Sequence, residues 1–260
     1  MTAPIVAWGL VVAALGVSIV AAVDRGAWAQ EVYRWGVALA LYVVAVDLLR
    51  RTADVRPVLI GTTAGVLGCV TVALWQVTTG AGPATFKSDG ITRAYGFFGE
   101  PNPLAAYLEM TVLLLLPLGV ALAMRPATSL WRRYGLLAVS GLGGGALLLT
   151  QSRGGLLGFA AGATVVALLL NRLTRTLALL GIILALPVLT AVPAGRAGLE
   201  RFTSSVTAVT ATEQVTPANW SVQERVAHWK AGLRMLETYP FTGVGAGNFD
   251  DRYREMTTVW

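Results

Sequence analysis

Residues 134–170 read YGLLAVSGLGGGALLLTQSRGGLLGFAAGATVVALLL. Two apolar runs, Tyr134–Thr150 and Gly154–Leu170, are parted only by Gln151, Ser152 and Arg153. About 20 mostly apolar residues in a helix cross the hydrocarbon core of a bilayer. Both runs come close to that length, and the polar residues between them leave space only for a tight turn. The stretch predicts a helical hairpin embedded in lipid, with an arginine at its tip.

Five further runs extend the pattern outward: Ile5–Val23, Val32–Leu49, Val58–Val77, Leu104–Met124 and Thr176–Val192. The reading is an all-α, polytopic membrane bundle of about seven transmembrane helices. Composition agrees. Charged residues make up 13% of the 260 and hydrophobic ones 55%, whereas a soluble domain carries about 25% charged residues. The run Ile5–Val23 lacks the basic flank and small-residue cleavage site of a signal peptide, so it reads as an uncleaved first helix.

The positions of the charges orient the bundle. Arg50, Arg51 and Arg56 follow the second run, Arg125, Arg132 and Arg133 the fourth, and Arg172 and Arg175 the sixth. Alternate loops enriched in arginine are cytoplasmic. The other loops are mixed in sign: Asp24, Arg25 and Glu31, then Lys87, Asp89, Arg93 and Glu100. The net charge of +6 is thus a topology signal and no indication of nucleic-acid binding. The N-terminus is expected in the cytoplasm, residues 1–192 in the bundle, and 193–260 on the outer side. Cys69, the single cysteine, excludes an internal disulfide, and no Cys/His spacing suits a metal.

The outer segment contains an amphipathic helix, expected over Asn219–Tyr239. Val222, Val226, Trp229, Leu233 and Leu236 recur on one face. Ser221 and Glu224 have capping-box spacing, and Pro240 disfavours helix at Tyr239. The Ser/Thr-rich stretch 203–216 reads as a flexible part of the outer loop.

Charged groups at membrane depth are costly and mark functional sites. Arg153 has two readings: a helix-end arginine snorkelling to the interface, or a guanidinium fork for phosphate or pyrophosphate. Gln151 and Ser152 before it, and Gly154 and Gly155 after it, favour the second, since glycines admit close approach. The loop Arg93–Pro103 holds two prolines, two glycines and two phenylalanines. It reads as an irregular segment that dips into the protein, tolerated at that depth only when buried or lining a cavity. Asn102 suits either an N-cap or a ligand contact. Glu109 reads as a neutral or paired acid inside the bundle. His228, the single histidine, is either a general base or an ordinary helix-surface residue. The glycines of 243–247 follow no strand, so they form no dinucleotide fingerprint.

Three ordered motifs carry a resemblance: Phe98-Gly99-Glu100-Pro101-Asn102-Pro103-Leu104-Ala105-Ala106-Tyr107-Leu108, then Thr150-Gln151-Ser152-Arg153-Gly154, then Glu224-Arg225 with Trp229 and Tyr239–Phe249. Together they resemble the O-antigen ligase family, which includes O-antigen polymerases and protein O-oligosaccharyltransferases. The resemblance covers about Tyr95 to the end of the chain. It implies a GT-C-like membrane glycosyltransferase that needs no metal or other cofactor. Its donor would be a glycan on undecaprenyl pyrophosphate, and its acceptor a hydroxyl of a glycan, lipid or protein at the outer face of the bacterial inner membrane. By motif position Arg153 and Arg225 would bind the donor pyrophosphate as catalytic residues, with Arg93, Glu100, Asn102 and Ser152 as substrate-binding neighbours. Glu100 stands where many relatives carry Asn. The family's histidine base lies beyond the glycine-rich motif, so the base and further helices are expected past Trp260, and His228 does not inherit that role. Two other classes stand as alternatives. One is a membrane transporter of a small anion such as bicarbonate, with Glu109 and Asp47 on a solute path. The other is a non-catalytic assembly partner.

Overall fold

The computed structural model describes residues 2–49, 55–88, 90–125, 129–191 and 220–256. Arg50, Arg51, Asp89 and the stretch 203–216 lie outside the described residues, as do the side chains of Arg132, Ser221 and Val222. A helix stands at each of the seven apolar runs: α1 (Thr2–Ser18), α2 (Arg25–Leu48), α3 (Val55–Thr79), α4 (Pro101–Ala123), α5 (Leu130–Leu149), α6 (Arg153–Leu170) and α7 (Arg172–Ala191). Helices α3, α4 and α6 are long and apolar enough to cross a membrane, and Val6–Ala21 and Arg133–Leu149 form shorter apolar helices. The chain is a helical membrane protein. The one sheet among the described residues is a two-residue ribbon, β1 (Lys87–Ser88) paired antiparallel with β2 (Ile91–Thr92).

Helix starts differ most from the hydropathy reading where a cap extends the helix into water. Helix α2 begins at Arg25, not Val32, because the Asp24 carboxylate accepts hydrogen bonds from the Gly26 and Ala27 amides at 2.6 and 3.1 Å. Helix α7 begins at Arg172, not Thr176. Asn171 precedes it and accepts from the Thr174 amide at 2.9 Å.

The chain divides into two compact units, residues 51–187 and residues 1–50 with 188–260. In the first, α3, α4 and α5 share a core built from Val66, Cys69, Val70 and Ala73, Leu104, Ala105, Leu108 and Leu115, and Val139, Ala146 and Leu147. Helix α6 packs against α4 in parallel. A Cβ at Gly155 would lie 2.7 Å from the Ala105 methyl, one at Gly158 would strike the Glu109 carboxylate, and one at Gly162 would strike Leu113. Small residues let membrane helices approach closely, which is the main source of their association in lipid. Glu109 thus lies at the α4–α6 contact, half-buried.

In the second unit the C-terminal segment forms α8 (Trp220–Thr238) and α9 (Phe249–Met256). Helix α8 occupies the expected span, but its packed face is Val226, Ala227, Ala231 and Met235. Trp229, Leu233 and Leu236, expected to pack, are exposed. Small alanines let neighbouring structure close on α8, and the larger apolar side chains fall on the other side. Ser221 lies inside the first turn, so it is not the N-cap of a capping box. The helix ends before Tyr239-Pro240, as expected. Beyond it the chain returns to the α1–α2 turn. The Asn248 side chain, fully buried, accepts from the Asp24 amide at 2.6 Å and donates to the Asp24 carbonyl at 3.0 Å. The Ala246 amide donates to the Ser18 hydroxyl at 3.2 Å. Gly245 and Gly247 hold φ values of +92° and +74°, which favour glycine. A Cβ on Gly245 would lie 2.6 Å from the Ala22 Cα, so glycine is needed there twice over.

Candidate functional site

The irregular loop before α4 is held from two sides. From α3, Gln76 reaches it: its carbonyl accepts from the Tyr95 and Gly96 amides at 3.0 and 2.9 Å, and its amide donates to the Gly96 carbonyl at 2.9 Å. From α5, the last carbonyls of the helix accept: Leu149 O takes the Ala94 amide at 2.9 Å, and Thr150 O takes Arg93 Nε at 3.0 Å. Ala94, Gly96 and Thr92 are buried, so the loop does enter the protein, as its composition predicts.

Glu100, not Asn102, is the N-cap residue of α4, and its side chain makes no capping hydrogen bond. Pro101 fills the first helical position, where its fixed φ and missing N–H cost nothing. That shifts Asn102 into the first turn and corrects its assignment as a cap. Its side-chain oxygen accepts from the Ser152 hydroxyl at 3.0 Å, while Arg93 Nη2 approaches the same oxygen at 3.5 Å.

Ser152 is the N-cap of α6, and its hydroxyl accepts from the Gly155 amide at 3.4 Å. The α5–α6 turn is as tight as its sequence predicts. Thr150, fully buried, bonds back to Leu147 O at 2.7 Å. Gln151 adopts φ of +51°, the sole described non-glycine residue in the left-handed region. Such a conformation costs roughly 1–2 kcal/mol and persists where surrounding structure imposes it. The turn delivers Arg153, exposed, as the first residue of α6.

Arg93 and Arg153 therefore stand at the same end of the α4–α6 pair. Burial, and secondly the charge of Arg153, hold the Arg93 pKa below its ordinary value. Neither guanidinium forms an ion pair with a described carboxylate. Two cations near one another, beside Asn102 and Ser152, have the chemistry to receive a multivalent anion.

Of the residues the sequence singles out, Arg93, Asn102, Ser152 and Arg153 are thus brought together, with Glu100 just ahead of Asn102 in the chain. Arg225 lies on α8, in the other compact unit, and is exposed. His228 packs among the aromatic rings of α9, 4.8 Å from Tyr253 and 5.9 Å from Phe249 between ring centres, so it is an ordinary packed side chain. Among the described residues no group of three or more His, Cys, Asp or Glu side chains gathers to hold a metal. Sequence reasoning passed over Gln76 and Thr150. A lone glutamine inside the apolar run Val58–Val77 was the available signal for the first, and Thr150 was seen only as part of a motif.

Residues 136–259 match a family model described as O-antigen ligase. The match takes in Arg153 and Arg225 and begins after the loop that carries Arg93. No curated protein and no solved structure matches the chain.

Proposed function

We propose, from the premise that this chain is a member of the O-antigen ligase family over residues 136–259, that it transfers a glycan from a lipid-linked pyrophosphate donor to an acceptor hydroxyl. The family assignment supports a membrane glycosyltransferase of ligase or polymerase type. It gives the transport alternative no support. The structural observation that carries the finer reading is the unopposed arginine pair, Arg93 and Arg153, ordered by Asn102, Ser152 and Thr150 at one end of the α4–α6 bundle.

In this reading the acceptor oxygen bonds to the anomeric carbon as the bond from that carbon to the pyrophosphate oxygen breaks, and the acceptor's hydroxyl proton is given up to solvent. Negative charge then grows on the leaving group. Guanidinium groups already held in place stabilise that charge without reorganising, which is the largest single source of catalysis in such transfers. Arg153 and Arg225 take this role by motif, and Arg93 joins Arg153 by geometry. The positive-inside pattern supports placing this end of the bundle at the outer face of a bacterial inner membrane, and the family resemblance suggests undecaprenyl pyrophosphate as the carrier.

In the complete protein, Arg153→Ala and Arg225→Ala should each abolish glycan transfer while membrane abundance stays normal. Full transfer by both variants overturns the reading.

A further inference from the structure

The polar group most expensively placed in the bundle is one the proposed chemistry does not use. Gln76 lies near the C-terminal end of α3, in an otherwise apolar stretch, with 2% of its surface exposed. A buried amide costs several kcal/mol when unpaired. Gln76 spends its hydrogen bonds on one target, the backbone of Tyr95 and Gly96: two N–H groups into its carbonyl and one C=O onto its amide. Gly96 adopts φ of +58°, with Leu104 pressed against the position a Cβ would take. Two residues before Tyr95 the same backbone carries Arg93, and between them Ala94 donates to Leu149 O.

The loop is thus a short bridge. One end is fixed to α3 by the Gln76 side chain, and the other to the end of α5 by Ala94 and Arg93. That second anchor adjoins the turn leading to Arg153. The Arg93 guanidinium is held directly by Thr150 O and Asn102, while the backbone that delivers it there is held by Gln76 on one side and by Leu149 O on the other.

We infer that Gln76 is a positioning residue for the donor site: it clamps the Tyr95–Gly96 backbone so that Arg93 is held beside Arg153 to grip the donor pyrophosphate. This rests on the proposed transfer function and deepens it. A glutamine serves because one side chain must present an acceptor to two amides and a donor to the neighbouring carbonyl. Glutamate keeps the acceptor and loses the donor, and leucine loses both.

The test is steady-state transfer by the complete protein in membranes, with donor and acceptor concentrations varied separately. Gln76→Leu should raise the donor KM on the order of 10- to 100-fold, as expected for a misplaced binding group, and leave the acceptor KM unchanged. Gln76→Glu should recover part of that loss. In an Arg93→Ala background Gln76→Leu should add little further effect, since residues acting through one another are non-additive. A Gln76→Leu effect that is fully additive with Arg93→Ala, or that falls equally on donor and acceptor, overturns the inference. If Gln76→Leu fails to accumulate in the membrane, Gln76→Glu carries the same comparison, and a normal donor KM in that variant overturns it. Should Arg93→Ala and Arg153→Ala themselves leave the donor KM unchanged, the anion site fails, and with it the reading on which the inference rests.

Discussion

The Ser152 hydroxyl donates a 3.0 Å hydrogen bond to the side-chain oxygen of Asn102, tying the cap of α6 to the first turn of α4 across 50 residues of sequence. The pair sits beside both arginines, so its chemistry can be changed without changing its shape. Asn102→Asp keeps an acceptor for Ser152 and adds a negative charge where the donor's phosphates should lie. The expected outcome is a protein of undiminished stability whose transfer rate falls on the order of 100-fold or more, the scale seen when electrostatic stabilisation is removed. Thermal unfolding in detergent beside a transfer assay checks it. Normal transfer would refute the assignment of this place to an anion.

Arg153→Gln separates stability from function. The folded state lowers the Arg93 pKa, first by burial and second through Arg153. Arg93 therefore holds its proton less tightly folded than unfolded, and its charge opposes folding at every pH below the folded-state pKa. That penalty fades only as pH rises through the ordinary arginine range. Removing the Arg153 charge should raise the melting temperature of the unliganded protein at pH 7. Added inorganic pyrophosphate should raise the melting temperature of the wild type, as any ligand of the folded state does, and should leave that of Arg153→Gln unmoved. Equal stabilisation of both proteins would count against the site.

Gly155→Ala and Gly154→Ala form a matched pair. A methyl group on Gly155 meets the Ala105 methyl at 2.7 Å, whereas one on Gly154 meets nothing within 4 Å. The first change forces α4 and α6 apart and should cost about 1–3 kcal/mol, the usual range for overpacking. The second should be neutral or slightly stabilising. Melting temperatures of the two variants in one detergent decide the point, and equal values would contradict the close α4–α6 packing.

Asn248→Ala removes a buried side chain that pairs with both the amide and the carbonyl of Asp24. Each backbone group left unsatisfied costs about 1–3 kcal/mol. The loss is local, so the expected signature is faster tryptic cleavage at Arg225, Lys230 and Arg234 with cleavage after Arg172 and Arg175 unchanged. Uniform acceleration at all of these sites would mean that the tether supports the whole protein and not the C-terminal segment alone.

The apolar runs made all seven helix positions legible, because in lipid a helix and its hydropathy coincide. What escaped is where side chains outweigh hydropathy. Asp24 and Asn171 extend helices into polar sequence that a hydropathy count rejects. Pro101 moved the start of α4 forward and so turned Asn102 from a cap into a partner of Ser152. On α8 the periodicity correctly found a helix and the packed Val226, but Trp229, Leu233 and Leu236 are exposed while the small Ala227 and Ala231 pack. At the site, Arg153 and its neighbours announced themselves by being polar between apolar runs. The approach of Arg93 to Arg153 did not. It depends on Gln76, and nothing in a linear sequence says that a glutamine in one helix will hold a loop some 20 residues later.

The parallel course of α4 and α6 has an electrical consequence. Each helix carries a macrodipole equivalent to roughly half a positive charge at its N-terminus. Antiparallel neighbours cancel such ends, but these two begin together, at Pro101 and Arg153, joined by the Asn102–Ser152 bond. Two like poles are thus locked side by side with two arginines. The bundle carries a built-in field that a bound polyanion would neutralise.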